Sequence, residues 1–152
     1  NNLGMALLDE RKFKESISHF KTATKIHPSH LDAHYNLGNA FLSTGRTKEA
    51  IFHYKTAVTL KPDDVDVHYN LGNAFLSTGR TKEAIFHYKI VVILKPDDVD
   101  AHHNLGNALA QKGDIREAIN HYRETLRLRP NHVSARNNLG MALVPLEKYE
   151  HK

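Results

Sequence analysis

Residues 34–55 read HYNLGNAFLSTGRTKEAIFHYK, and the same letters return without a change as residues 68–89, displaced by 34 positions. Aligned over their full period, residues 31–64 and 65–98 differ at only five places, 31/65, 33/67, 56/90, 57/91 and 59/93. A more diverged copy occupies residues 99–132, keeping HNLGNAL at 103–109, EAI at 117–119, His121, Tyr122 and Pro130. Partial copies flank these three: residues 1–30 lack the opening of a repeat, and residues 133–152 hold only the first part of one. Self-similarity at a fixed period of this length is the mark of stacked supersecondary units that bury their apolar faces against their neighbours. The 152 residues therefore form one repeat array.

Within a copy the apolar spacing predicts helix, turn, helix. Ala33, Leu37 and Phe41, with Gly38 among them, fall on one helical face. Ala50, Ile51, Tyr54, Ala57 and Val58 follow the i, i+3, i+4, i+7, i+8 pattern of a second helix. Gly45, Gly79 and Gly113 stand where a left-handed residue ends the first helix. Thr47 and Thr81 are the expected caps of the next helix, and Asp114 with Glu117 forms a capping-box pattern at the same place in the following copy. Pro62, Pro96 and Pro130 close the second helices. The pattern predicts an all-α chain of about nine helices, with Pro145 near the end of the last.

The frame His34, Leu37, Gly38, Phe41, Ala50, Tyr54, Pro62 resembles the tetratricopeptide repeat (TPR) pattern, and the resemblance covers the whole chain. The departure is at the family's tryptophan position, filled by His34, His68, His102 and Arg136. The resemblance implies a right-handed superhelical solenoid of antiparallel helix pairs, with the first helix of each pair lining a concave groove. It also implies a protein-interaction module, with an adaptor or scaffold role and a protein or peptide as partner.

On the first helix, Asp32, Asn36, Asn39 and Ser43 cluster within about 60° at 100° per residue, opposite the apolar face. The next copies repeat the stripe as Asp66, Asn70, Asn73, Ser77 and as Asp100, Asn104, Asn107, Gln111, and Asn2 and Asn138 continue it. Tyr35 and Tyr69 stand beside it. Asparagine is a poorer helix former than Lys, Glu or Gln, which would serve a merely solvated face. Its amide carries one acceptor and two donors, the complement of a passing peptide main chain. These residues are the candidate peptide-binding set, and the rungs Asn2, Asn36, Asn70, Asn104 and Asn138 would hold an extended segment of about a dozen residues. The ladder resembles the groove of the TPR region of O-linked N-acetylglucosamine transferases. That likeness implies a second role, as the substrate-recruiting arm of a larger glycosyltransferase-like enzyme. The competing account of the stripe is inheritance by near-identical copies of residues used for solvation or repeat packing.

Other chemistries find less support. A carboxylate clamp of the TPR type would need Lys or Arg where Tyr35, Asp66, Asp100 and Asn104 stand, and Asp repels a terminal carboxylate; the aspartates suit a helix N-terminus. Twelve histidines, with His19, His53, His87 and His121 at one repeat position, invite a metal, but successive helices about 8–10 Å apart separate those rings too widely for bonds of about 2 Å. No metal or cofactor is expected, and the histidines at the tryptophan position are expected to pack as partly buried rings with a pH response below neutrality. The +4 net charge and pI of 9.3 raise nucleic acid, yet residues 33–44 and 67–78 contain no Lys or Arg. The cations lie on the second helices, so nucleic acid is not the expected ligand. Phe52 and Phe86 are read as packing between repeats. No phosphate loop, nucleophile elbow or isolated carboxylate pair supports catalysis.

At 40% hydrophobic and 25% charged the composition is that of a globular chain, with no apolar run long enough for a membrane span and no leader pattern. The absence of cysteine leaves the compartment open, with the cytoplasm favoured. Both ends cut through a repeat, which points to a fragment of a longer protein or to self-association through the terminal helices.

Overall fold

A computed structural model describes the backbone of residues 2–150 and the side chains of residues 12–144. The described residues form eight helices and no strand: α1 (Asn2–Ile26), α2 (Leu31–Ser43), α3 (Thr47–Leu60), α4 (Val65–Ser77), α5 (Thr81–Leu94), α6 (Val99–Lys112), α7 (Ile115–Leu128) and α8 (Val133–Glu150). The count is one short of the sequence expectation because α1 is continuous. Arg11 occupies the repeat position of Gly45, Gly79 and Gly113, so the first copy lacks the residue that would end its first helix. At the other end Glu147 takes that position and α8 likewise runs on, with Pro145 inside it.

The three glycines adopt φ of 73°, 74° and 96°. Each closes a Schellman motif: Gly45 N–H donates to Leu42 O at 3.0 Å and Arg46 N–H to Phe41 O at 2.8 Å, and Gly79–Arg80 and Gly113–Asp114 repeat the pair. That geometry makes Arg46 and Arg80 the N-caps of α3 and α5, with Thr47 and Thr81 one residue inside. The arginines stack on the preceding aromatic, Arg46 4.4 Å from the Phe41 centroid and Arg80 4.5 Å from that of Phe75. Asp114 caps α7 in position only, because its carboxylate pairs with Lys112 at 2.6 Å and the capping box does not form. Side-chain caps appear instead on the first helices of the repeats. Asp64 Oδ1 accepts from Val67 N–H at 3.2 Å and Asp98 Oδ1 from Ala101 N–H at 3.0 Å, while His30 Nδ1 and His132 Nδ1 take the same place for Ala33 and Ala135.

By internal contacts the chain divides into two compact units, Asn1–Ala74 and Phe75–Lys152. In the first, α2 packs on α1 and α3, and Leu37, Phe41, Ala50, Tyr54, Ala57 and Leu71 are almost wholly buried. In the second, α6 packs on α5 and α7, α7 packs on α8, and Phe75, Tyr88, Val91, Leu105, Leu109 and Ala118 form the core. Each large apolar side chain so buried contributes roughly 1.5–3 kcal/mol. Two of these contacts depend on glycine: a Cβ on Gly38 would stand 2.3 Å from the Tyr54 ring, and one on Gly106 2.7 Å from the Tyr122 ring. Phe52 and Phe86 do not pack between repeats as expected. They are 64% and 61% exposed, edge-on to the adjacent His53 and His87.

Two substitutions check this account by thermal unfolding. Gly45→Ala, forced to a φ of 73°, should cost about 1–2 kcal/mol. Asp98→Ala, losing the cap of α6, should cost about 1 kcal/mol. Each kcal/mol corresponds to about 2–4 °C in a chain of this size, and an unchanged Tm in Gly45→Ala would exclude the left-handed stop.

Candidate functional site

Among the described residues, amides of the asparagine stripe are partly engaged with one another. In the first unit, Asn39 Oδ1 accepts from the buried Tyr54 hydroxyl at 2.6 Å and from Asn70 Nδ2 at 3.4 Å, and Asn70 Nδ2 also donates to Tyr35 Oη at 3.2 Å. The network ties α2 to α3 and to α4. Burial, with Tyr35 nearby, pushes the Tyr54 hydroxyl well above its ordinary range, so it stays a donor. In the second unit, Asn107 Oδ1 accepts from Tyr122 Oη at 3.0 Å and from Asn138 Nδ2 at 2.8 Å, tying α6 to α7 and α8. His103 takes the place of Tyr35 there, its Nε2 lying 3.5 Å from Asn107 Nδ2 and 3.4 Å from Asn138 Nδ2.

Both networks leave capacity unspent. Asn39 keeps its Nδ2 donor and Asn70 its Oδ1 acceptor, and Asn138 likewise keeps its Oδ1. No buried side-chain nitrogen or oxygen among the described residues lacks a partner, so these three atoms reach solvent. A half-buried donor and acceptor thus stand ready on a pre-ordered network. Beside the first lies a cleft of about 170 Å³ lined by Leu31, Tyr35, Val67, Asp32, Asp64 and Asp66. Beside the second lies one of about 340 Å³ whose lining includes Asn107, Tyr122, Asn138 and Met141.

The other candidates fall as follows. Asn36 is half-buried and makes no amide bond of this kind among the described residues; Tyr69, Asn73 and Asn104 are half-buried at the equivalent positions, and Ser43 and Ser77 are exposed. Asn2 lies outside the described side chains. Asp32, Asp66 and Asp100 sit exposed in first helical turns, as expected for residues that favour a helix N-terminus.

The sequence reading passed over the pairing of two histidines inside one repeat. His34 Nε2 lies 2.9 Å from Pro28 O, and its Nδ1 lies 3.1 Å from His53 Nδ1. Facing a carbonyl, Nε2 must carry the proton, so Nδ1 accepts and His53 donates its Nδ1–H. His102 repeats the arrangement with Pro96 O and His121 Nδ1, both at 3.0 Å. His68 Nε2 reaches Pro62 O at 2.9 Å, and Arg136 reaches Pro130 O at 2.6 Å, so the family's tryptophan position carries a side-chain donor to the preceding turn. The recurring spacing of His34 to His53 and His102 to His121 was the available signal. Imidazole nitrogens therefore do meet, though within a repeat rather than between repeats. Among the described residues no group of three or more His, Asp or Glu could hold a metal ion.

TPR-repeat family models match residues 38–79, 72–113 and 106–144, and a tetratricopeptide-repeat model matches residues 7–52. The chain belongs to the tetratricopeptide repeat family. No curated protein matches the sequence. Among solved structures, YrrB, described as a TPR protein with an unusual peptide-binding site, is 23% identical over 96% of this chain and 75% of its own, with a TM-score of 0.85. MamA of Desulfovibrio magneticus RS-1 is 20% identical over 99% of this chain and 85% of its own, at 0.84. The first TPR domain of Spaghetti, solved with an HSP90 peptide, is 23% identical over 77% of this chain and 93% of its own, at 0.73. At these identities the likeness speaks for the fold. No described helix of this TPR chain is long and apolar enough to cross a membrane.

Burial, reinforced by His34 and Lys21, pushes His53 down from 6.5 to about 4, and burial with His102 lowers His121 in the same sense. The folded state then binds fewer protons than the unfolded chain between these limits, so stability is full above about pH 6.5 and falls as pH drops toward 4. Thermal unfolding from pH 7.5 to 4.5 should show this decline, with a shallower slope in His53→Phe. Equal slopes would remove the histidine pair as its cause.

Proposed function

We propose that this chain binds extended peptide or protein segments through the amides of its first helices, in an adaptor or scaffold role. The observation that carries the reading is the unspent pair on the first network, the Asn39 Nδ2 donor and the Asn70 Oδ1 acceptor, solvent-reachable yet fixed by Tyr54 and Tyr35. An extended main chain presents both N–H and C=O groups along its length, so it can offer partners to both atoms whatever its side chains. Pre-ordering lowers the entropy cost that a loose polar surface would impose on binding. The neighbouring cleft gives a charge preference, because Asp32 and Asp66 beside Tyr35 favour a Lys or Arg side chain and oppose an acidic one, while Asp64 is already paired with Lys61. YrrB and the Spaghetti domain show that the fold accommodates peptides in other proteins.

Binding to an unbiased peptide array tests the reading, with Asn36→Ala/Asn70→Ala/Asn104→Ala run in parallel once its folded fraction has been verified by circular dichroism. Loss of hydrogen bonds worth about 0.5–1.5 kcal/mol each should weaken binding by at least tenfold across unrelated peptides. Basic peptides should rank above acidic ones. Equal binding by the folded triple variant would end the proposal.

A further inference from the structure

We propose that the outer face of α5 is a dimer interface, on which a second copy of this chain docks its own α5 antiparallel about a two-fold axis. Helices α3 and α5 open with the same nine residues, TKEAIFHYK, and then part: where α3 carries Thr56, Ala57 and Thr59, α5 carries Ile90, Val91 and Ile93. Val91 enters the core, Ile90 is half-buried and Ile93 is 74% exposed. Three of the five positions that separate two near-identical repeats thus make this helix more apolar, and two of the three do so outside the core.

With the exposed Phe86 and Leu94, the two isoleucines fall at i, i+4, i+7 and i+8, an apolar stripe on the side turned away from the buried Ala84, Ile85, Tyr88 and Val91. The fold does not require it. Helix α3 keeps the same packing with threonines at both isoleucine positions. Helix α7 does so with Asn120 in the place of Phe86, and with Glu124 and Arg127, paired at 2.6 Å, in the places of the isoleucines. An exposed apolar stripe that packing does not use marks a contact surface.

The charges at its two ends select the occupant. Lys82 stands exposed in the first turn of α5, and Asp97 stands exposed just past its last. When two copies of α5 run in opposite directions with Phe86 of one level with Ile93 of the other, the two-fold repeats that contact at the far end. Four residues further out on each side, Lys82 of one copy then stands level with Asp97 of the other. One register therefore serves the apolar stripe and both charged ends, and an isologous contact of this kind closes at a dimer. A parallel pair would set Lys82 on Lys82. An anionic lipid surface would attract Lys82 but meet Asp97, and Lys89 beside the stripe is held by Glu117 at 2.7 Å.

Sedimentation of the 152-residue chain over a wide concentration range tests the contact, with circular dichroism to verify each fold. Wild type should pass from monomer to dimer and stop there. Ile90→Thr/Ile93→Thr, which installs the residues that α3 already carries, should keep the fold and weaken the dimer by more than tenfold. Lys82→Asp and Asp97→Lys should each weaken it severalfold, and the combined Lys82→Asp/Asp97→Lys chain, with the charges exchanged at both ends, should regain wild-type association. A wild type that stays monomeric or grows past a dimer, a threonine variant that associates as before, or a combined exchange that does no better than the single changes would each overturn the proposal. Peptide binding by the threonine variant should be unchanged, which separates this surface from the amides of the first helices.

Discussion

The helix pairs are set by the approach of a tyrosine ring to bare backbone. Tyr54 lies flat enough against α2 that a single methyl on Gly38 would overlap it, and Tyr122 does the same over Gly106. That contact fixes the distance between the two helices of a pair, and it points the phenol hydroxyl at Asn39 or Asn107. A buried hydroxyl without a partner costs about 1–3 kcal/mol. The asparagine is therefore a structural requirement of the helix pair. Once its oxygen is committed to the tyrosine, the same oxygen can take a second bond from the first helix of the next repeat, as Asn70 and Asn138 do. Packing within a pair and cohesion between pairs thus pass through one carbonyl.

This dual use changes how the polar stripe is to be understood. Repeat packing and peptide recognition looked like competing explanations of the same residues, and the geometry lets them share the amide. Asn39, Asn70 and Asn138 have more hydrogen-bonding capacity than cohesion consumes, and what remains reaches solvent. The tyrosines and His103 hold the amides in place, so the residues that prepare the surface differ from the atoms that a ligand would touch. An Asn-to-Ala change therefore perturbs the packing as well as the proposed recognition, and only a variant with an intact fold reports on binding.

The period, the helix pairs and the glycine stops were legible because identical copies repeat a local pattern, and local pattern decides helices and turns. Three features lay beyond that reach. The continuity of α1 follows from Arg11 at a glycine position, an absence that stands out only against the complete copies. The bonds from Asn70 to Tyr35 and Asn39 join residues 35 and 31 apart, a register created by stacking and by no single repeat. The pairing of His34 with His53 depends on rotamers across a helix interface, and the sequence shows only that both recur.

The histidine at the tryptophan position illustrates how a departure from a family pattern can be compensated. An indole fills volume and donates one N–H; an imidazole fills less, but its Nε2–H reaches the Pro28 carbonyl and its Nδ1 accepts from His53. Arg136 reaches the Pro130 carbonyl from the same position with a different side chain. In all four copies the residue at this position donates to the carbonyl of the closing proline. The imidazole solution brings a cost that indole does not. Burial, with His34 or His102 alongside, lowers the proton affinity of His53 and His121, so acid works against the fold at both. A hydrogen-bonded histidine pair thus couples the packing of α2 on α3, and of α6 on α7, to the protonation of His53 and His121.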